Sequence, residues 1–137
     1  MVVAANLASP AWAQSPPGGA APHPIWGTWK LTLDDGICAE TYHFRKDGTT
    51  VVTSGTEVTE SSYSISPAPS ARGYYRLFDR ITRTNGKPDC TGKVTKSGRE
   101  ATTYVRVHPS GEMIIFCDAE SLDNCFGPLK RIPDEEM

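Results

Sequence analysis

Clustered charge is what this chain lacks first: its 16 acidic and 14 basic side chains are interspersed, with no long run of either sign. Phosphate binding needs gathered Lys and Arg, so a nucleic-acid partner is not expected. No apolar stretch approaches the roughly 20 residues that cross a bilayer as a helix, so no such membrane span is expected. Histidine is sparse, at His23, His43 and His108, each standing alone. None of the cysteines forms a C-x-x-C pair, the tight spacing that structural zinc favours. Neither a metal nor a cofactor is expected. No Ser/His/Asp or Cys/His arrangement is visible, and Glu40 and His43 would lie on opposite faces of one strand. Enzymatic function therefore finds little support. Ser54-Gly55-Thr56-Glu57 has the composition of a turn, without the strand-to-helix setting of a nucleophile elbow. Asp118, Glu120 and Asp123 do not match calcium-loop spacing and read as a solvated acidic loop. Helical patterning is nearly missing too. Beyond Pro24 only Ala119–Leu122 has the makings of a single turn.

What is present begins with a processing signal. Val2 to Ala8 is a short apolar run, and Ala11-Trp12-Ala13 gives the A-x-A pattern that a signal peptidase reads, with the cut before Gln14. Residues 1–13 are thus expected to be a signal peptide, truncated at its start because no Lys or Arg precedes the apolar run. Residues 14–24, rich in Pro and Gly, read as a flexible leader. Residues 25–132 are expected to form one domain, followed by an acidic tail over 133–137. The four cysteines, Cys38, Cys90, Cys117 and Cys125, are an even number behind a secretory start. That usage favours two disulfides and a periplasmic or secreted protein.

Segments of Thr, Val, Tyr, Ile and Phe alternate with Gly, Asp, Asn, Ser and Pro punctuation, which marks an all-β chain. Candidate strands run Ile25–Leu33, Cys38–Arg45, Thr49–Ser54, Glu57–Ser66, Gly73–Arg83, Glu100–His108, Glu112–Cys117 and Phe126–Ile132. Turn chemistry joins them: Asp34-Asp35-Gly36, Asp47-Gly48 and Pro109-Ser110-Gly111. Longer connections run over 67–72 and 84–99. Eight short strands joined mostly by hairpins suggest an antiparallel up-and-down meander closed into a barrel, because closure removes both edges. A β-sandwich is the alternative. In an up-and-down barrel the odd-numbered connections share one end, and all four cysteines lie in or beside odd-numbered connections. Four cysteines allow three pairings; Cys38 with Cys90 and Cys117 with Cys125 is the preferred set.

Trp26-Gly27-Thr28-Trp29-Lys30-Leu31 opens the first strand and resembles the G-x-W start of lipocalin-like (calycin) barrels, carried by Gly27 and Trp29. The resemblance implies that the Trp plugs one end of the barrel and that a basic residue of the last strand packs over it. Lys130 and Arg131 are the residues available for that role. Lipocalins proper run longer and carry a helix before their last strand, so the likeness is to a small lipocalin-like barrel. The sequence also resembles uncharacterised secreted proteobacterial proteins.

Strand alternation then assigns faces. Glu40, Tyr42 and Phe44 share the more apolar face of the second strand, with Tyr63, Ile65, Tyr75, Leu77, Ile81, Met113 and Ile115 expected to complete the lining. A largely apolar interior with sparse polar groups suits a ligand site, although eight-stranded barrels can also be filled by their own side chains. Glu40 stands out, because a buried carboxylate needs a partner, with Tyr42, Arg76 or Arg106 as the choices. The expected function is an exported binding protein holding a small hydrophobic or amphipathic molecule. The alternative is a protein-binding module, of inhibitor or immunity type, that uses the disulfide-stapled loop end.

Overall fold

A computed structural model describes residues 22–33 and 36–133. The expected signal peptide, most of the leader, Asp34 and Asp35 of the first turn, and the tail beyond Pro133 lie outside the described residues. Eight antiparallel strands close into a barrel in chain order, β1 (Gly27–Thr32), β2 (Ala39–Phe44), β3 (Thr49–Ser54), β4 (Glu57–Ile65), β5 (Tyr75–Thr84), β6 (Glu100–Val107), β7 (Met113–Cys117) and β8 (Cys125–Ile132). Closure comes from β1 against β8, with Trp29 opposite Arg131 and Lys30 opposite Lys130. Strand ends differ from the sequence reading by one or two residues, as element boundaries generally do. The helical turn expected at Ala119–Leu122 is a run of bends instead. Glu120 is drawn aside there, accepting a hydrogen bond from Ser70 Oγ at 2.5 Å while Arg72 donates to its carbonyl.

Two irregularities shape the wall. Thr82 is an extra residue in β5, where the register against β4 shifts between Glu60 and Ser61. Its hydroxyl donates to the Glu60 carbonyl at 3.0 Å. The second shift, between Ile114 and Phe116, leaves Gly127-Pro128 opposite Ile115. A bulge is where a sheet accommodates a proline, which has no N–H for the ladder.

The even-numbered connections gather at one end, and that end is closed. Trp29, Ile25, Phe44, Leu77, Val105, Ile114, Phe116 and Leu129 form the buried core, weighted toward it. The Trp29 indole donates to the Ile25 carbonyl at 2.9 Å. Above the ring lies the Arg131 guanidinium, 4.2 Å from the ring centroid. The same guanidinium donates to the carbonyls of Gly111, Trp26 and Pro24 at 3.0, 2.7 and 2.8 Å. Arg131 thus ties the incoming chain, the β6–β7 turn and the plug together. Lys130, the other basic residue weighed for this place, is exposed. Gly27 is required by that crossing: it has φ +121°, and a Cβ there would lie 2.6 Å from Arg131 Nη1. The residues just ahead of β1 are also held down. His23 bonds the Ser66 carbonyl at 2.9 Å and meets the Tyr75 ring edge-on at 4.8 Å.

The odd-numbered connections form the opposite end, and both disulfides are there, Cys38–Cys90 and Cys117–Cys125. The preferred pairing is the observed one.

Candidate functional site

Inside the barrel, polarity rises from the plugged end to the cysteine end. A lower chamber of about 140 Å³ is lined by Tyr42, Phe44, Leu77 and Phe116 among others. An upper chamber of about 250 Å³ is lined by Glu40, Ser54, Glu57, Thr59, Ser61 and Asp79, with Asp89 and Arg99 at its top. Tyr42, Val52, Asp79 and Ala101 border both, so the two chambers adjoin along the lumen.

A strap crosses the mouth. The β5–β6 connection carries Cys90, whose disulfide to Cys38 fixes it to the start of β2. Cys90 N–H donates to Ser54 Oγ at 3.0 Å, and Thr56 Oγ1 donates to the Pro88 carbonyl at 3.2 Å. The Asn85 side chain adds two bonds, accepting from the Val58 N–H and donating to the Thr56 carbonyl. Gly55 opens the two-residue β3–β4 turn with φ +60°, a position where such turns favour glycine. A Cβ there would come within 3.3 Å of the Asp89 and Cys90 backbone. The missing side chain is what lets the strap lie flat on the turn.

The polar groups of the upper chamber are held by hydroxyls. Glu40 accepts from Tyr42 Oη at 2.9 Å and from Ser54 Oγ at 2.6 Å. Burial, with Glu40 as the next contributor, raises the Tyr42 phenol far above its ordinary range, so it stays a donor. Asp79 is pushed up by burial, a rise opposed by its hydrogen bond with Ser61. Asp89 differs: bonded to Thr91 and Lys93 of its own loop, it is a turn former and is held below the usual carboxylate range. Glu57 is 5% exposed. The buried side-chain polar atoms that lack a hydrogen-bond partner, among the described residues, are its Oε2 and Thr50 Oγ1. Both belong to residues lining the lumen.

Of the residues expected to line a site, Glu40, Tyr42, Phe44 and Leu77 do line the lumen. Glu40 finds its partner in Tyr42 and Ser54, and neither Arg76 nor Arg106 reaches it. Tyr63 and Tyr75 are partly buried against the core near the plugged end. The Tyr63 hydroxyl turns out to the Arg45 carbonyl at 2.6 Å. Met113 and Ile115 are a correction: both line a groove on the outer wall with His108, Pro109 and Pro128, whereas Ile114 and Phe116 point inward. Met113-Ile114-Ile115-Phe116 is unbroken apolar sequence, so alternation carries no phase there. Glu57 and Asp79 were missed, though a signal existed. Glu57 is in phase with Tyr63 and Ile65 on β4, and Asp79 lies between Leu77 and Ile81, all of which the face assignment already put inside.

Among the described residues, no group of three or more His, Cys, Asp or Glu is placed to hold a metal ion, and no helix is long and apolar enough to cross a membrane. Comparison with protein-family models, curated proteins and solved structures finds no match for the chain.

Proposed function

We propose that the protein is an exported carrier holding a small amphipathic molecule in the barrel lumen. The observation that carries this reading is the pair of buried, unpartnered polar atoms, Glu57 Oε2 and Thr50 Oγ1, on the walls of two adjoining chambers. A barrel interior that served only as core would be filled by apolar side chains, because an unmet buried polar atom costs about 1–3 kcal/mol. Chambers below the roughly 300–1,000 Å³ of ordinary ligand sites suit a small occupant. The two disulfides and the A-x-A start support export. Gly27, Trp29 and Arg131, with one plugged end, support kinship with the calycin barrels.

The test is mass spectrometry on protein secreted into a bacterial periplasm. Extra mass in the native spectrum that disappears on denaturation, with both bridges intact, is the expected result. A clean mass from protein that also fails to take up small amphipathic compounds would refute the carrier.

A second reading has its own observation. Ile37 and Leu122 are 88% and 61% exposed, and Val94 is 55% exposed, each on an odd-numbered connection. Disulfide-fixed loops presenting apolar side chains would reduce the ordering cost of binding a protein. A stable complex that leaves the lumen accessible to small molecules would favour this module over the carrier.

A further inference from the structure

Glu40, Glu57 and Asp79 approach the upper chamber from three different strands, β2, β4 and β5. Neutral hydroxyls meet two of them: Tyr42 and Ser54 for Glu40, and Ser61 for Asp79. Arg99 is the one basic side chain among the residues lining this chamber. The ion pairs of the described residues are Arg80–Glu100, Arg83–Glu60 and Arg131–Glu112, none of which involves a lumen carboxylate. Carboxylates withdrawn from water without a counter-charge are costly unless protonated or met by a cation. Glu57, nearly all of it buried and one oxygen unpartnered, is the sharpest case.

The geometry selects the kind of cation. No cluster suited to a metal ion is present among the described residues. Directly below the carboxylates the wall becomes aromatic: Tyr42 and Phe116 have ring centroids 5.7 Å apart, and Phe116 and Phe126 5.1 Å. Aromatic faces attract cations and also accept apolar bodies. A ligand matching both chambers has a charged nitrogen at one end and a compact hydrocarbon at the other.

We propose that the lumen is selective for a small organic monocation, a protonated amine whose nitrogen sits among Glu40, Glu57 and Asp79 and whose aromatic or short alkyl body lies against Phe44, Leu77 and Phe116. This rests on the carrier reading and names its ligand class. Hydroxyls hold two of the carboxylates in place, Ser54 donating to Glu40 and Ser61 bonding Asp79, and an ionised carboxylate offers only acceptors to an ammonium donor.

Calorimetric titration of the oxidised full chain with 3-phenylpropylamine, 3-phenylpropan-1-ol and 3-phenylpropanoate tests it, since the three share one hydrocarbon skeleton. The amine is expected to bind at least tenfold more tightly than the alcohol, and the acid more weakly than either. Glu57→Gln and Asp79→Asn should each erase most of the amine's advantage while leaving alcohol binding intact, which also shows that the variants fold. Equal binding of amine and alcohol, or a preference for the acid, would overturn the cation selectivity and leave the carrier standing. No binding by any of the three would overturn both.

Discussion

Replacing Arg131 by Met removes the guanidinium and keeps most of the side chain's apolar bulk. The loss follows from its contacts. Three hydrogen bonds from a charged donor to backbone carbonyls disappear, each worth about 1.5 kcal/mol net at the low end of the range for charged groups. The cation over the Trp29 ring at 4.2 Å disappears as well, worth about 0.5–2 kcal/mol. Water reaches part of this end and recovers some of the carbonyl solvation, so the expected destabilisation is about 3–4 kcal/mol. For a domain of this size that corresponds to a fall in melting temperature of roughly 12–25 °C. Arg131→Lys keeps the cation yet cannot span three carbonyls from one ammonium, and should recover less than half of the loss. Urea unfolding followed by tryptophan fluorescence, with the disulfides intact, reads both variants directly. The expectation also includes loss of the anchoring of His23 and Pro24, seen as faster amide exchange at Ile25 and Trp26, whose N–H groups both bond His23. An Arg131→Met variant within 1 kcal/mol of the parent, or full rescue by Lys, would refute the view that the guanidinium fork holds this end closed.

The lumen carboxylates should trade stability for binding. Because burial raises Asp79 in the folded state, its contribution is fully present below its unfolded pKa of about 3.9 and is lost as pH rises through the folded value. Asp79→Asn should therefore melt higher than the parent at pH 7, with the gap closing in acid, Glu40, Glu57 and Arg99 being the charged groups lining the same chamber; a lower melting point at pH 7 would contradict this. The disulfides should differ in weight. Cys38–Cys90 spans 52 residues and Cys117–Cys125 spans 8, so loop-closure entropy gives about 4 and about 2.5 kcal/mol. Denaturant midpoints of the paired Cys→Ala variants would rank them, and equal losses would show that strap contacts or the unfolded state dominate. Gly55→Ala, forced to φ +60° and crowded against Asp89 and Cys90, should cost about 1–3 kcal/mol and speed exchange at the Cys90 amide, with an unchanged thermal melt counting against the strap geometry.

Much of the barrel was legible because its signals are local. Asp47-Gly48 sets a hairpin, and Gly55 sets another. The strands between such turns are long enough to count, and the count alone places the cysteines in or beside odd-numbered connections. The lumen was harder to read. On β2 the mix of Glu40, Tyr42 and Phe44 against Ala39, Thr41 and His43 gave the correct inner face. On β7 nothing polar marked the phase, so Met113 and Ile115 were placed on the wrong side of the wall. Glu57, Thr59 and Ser61 are buried although their types favour the surface. Polar residues inside a barrel are invisible to a rule that sends apolar residues inward. Such local disagreement with patterning is where functional groups are expected.

The strand ladder begins at Gly27 and ends at Ile132 on the same rim, with Arg131 clasping the backbone at Pro24 and Trp26. The strap and both disulfides occupy the other rim. Whatever is joined ahead of residue 22 or behind residue 133 consequently moors the barrel by its base. A fusion partner, an affinity handle or a sensor surface attached at either end would hold the opening outward, like a cup fixed by its foot. Immobilisation through the termini therefore presents the lumen to solution in one orientation, without engineering of the mouth.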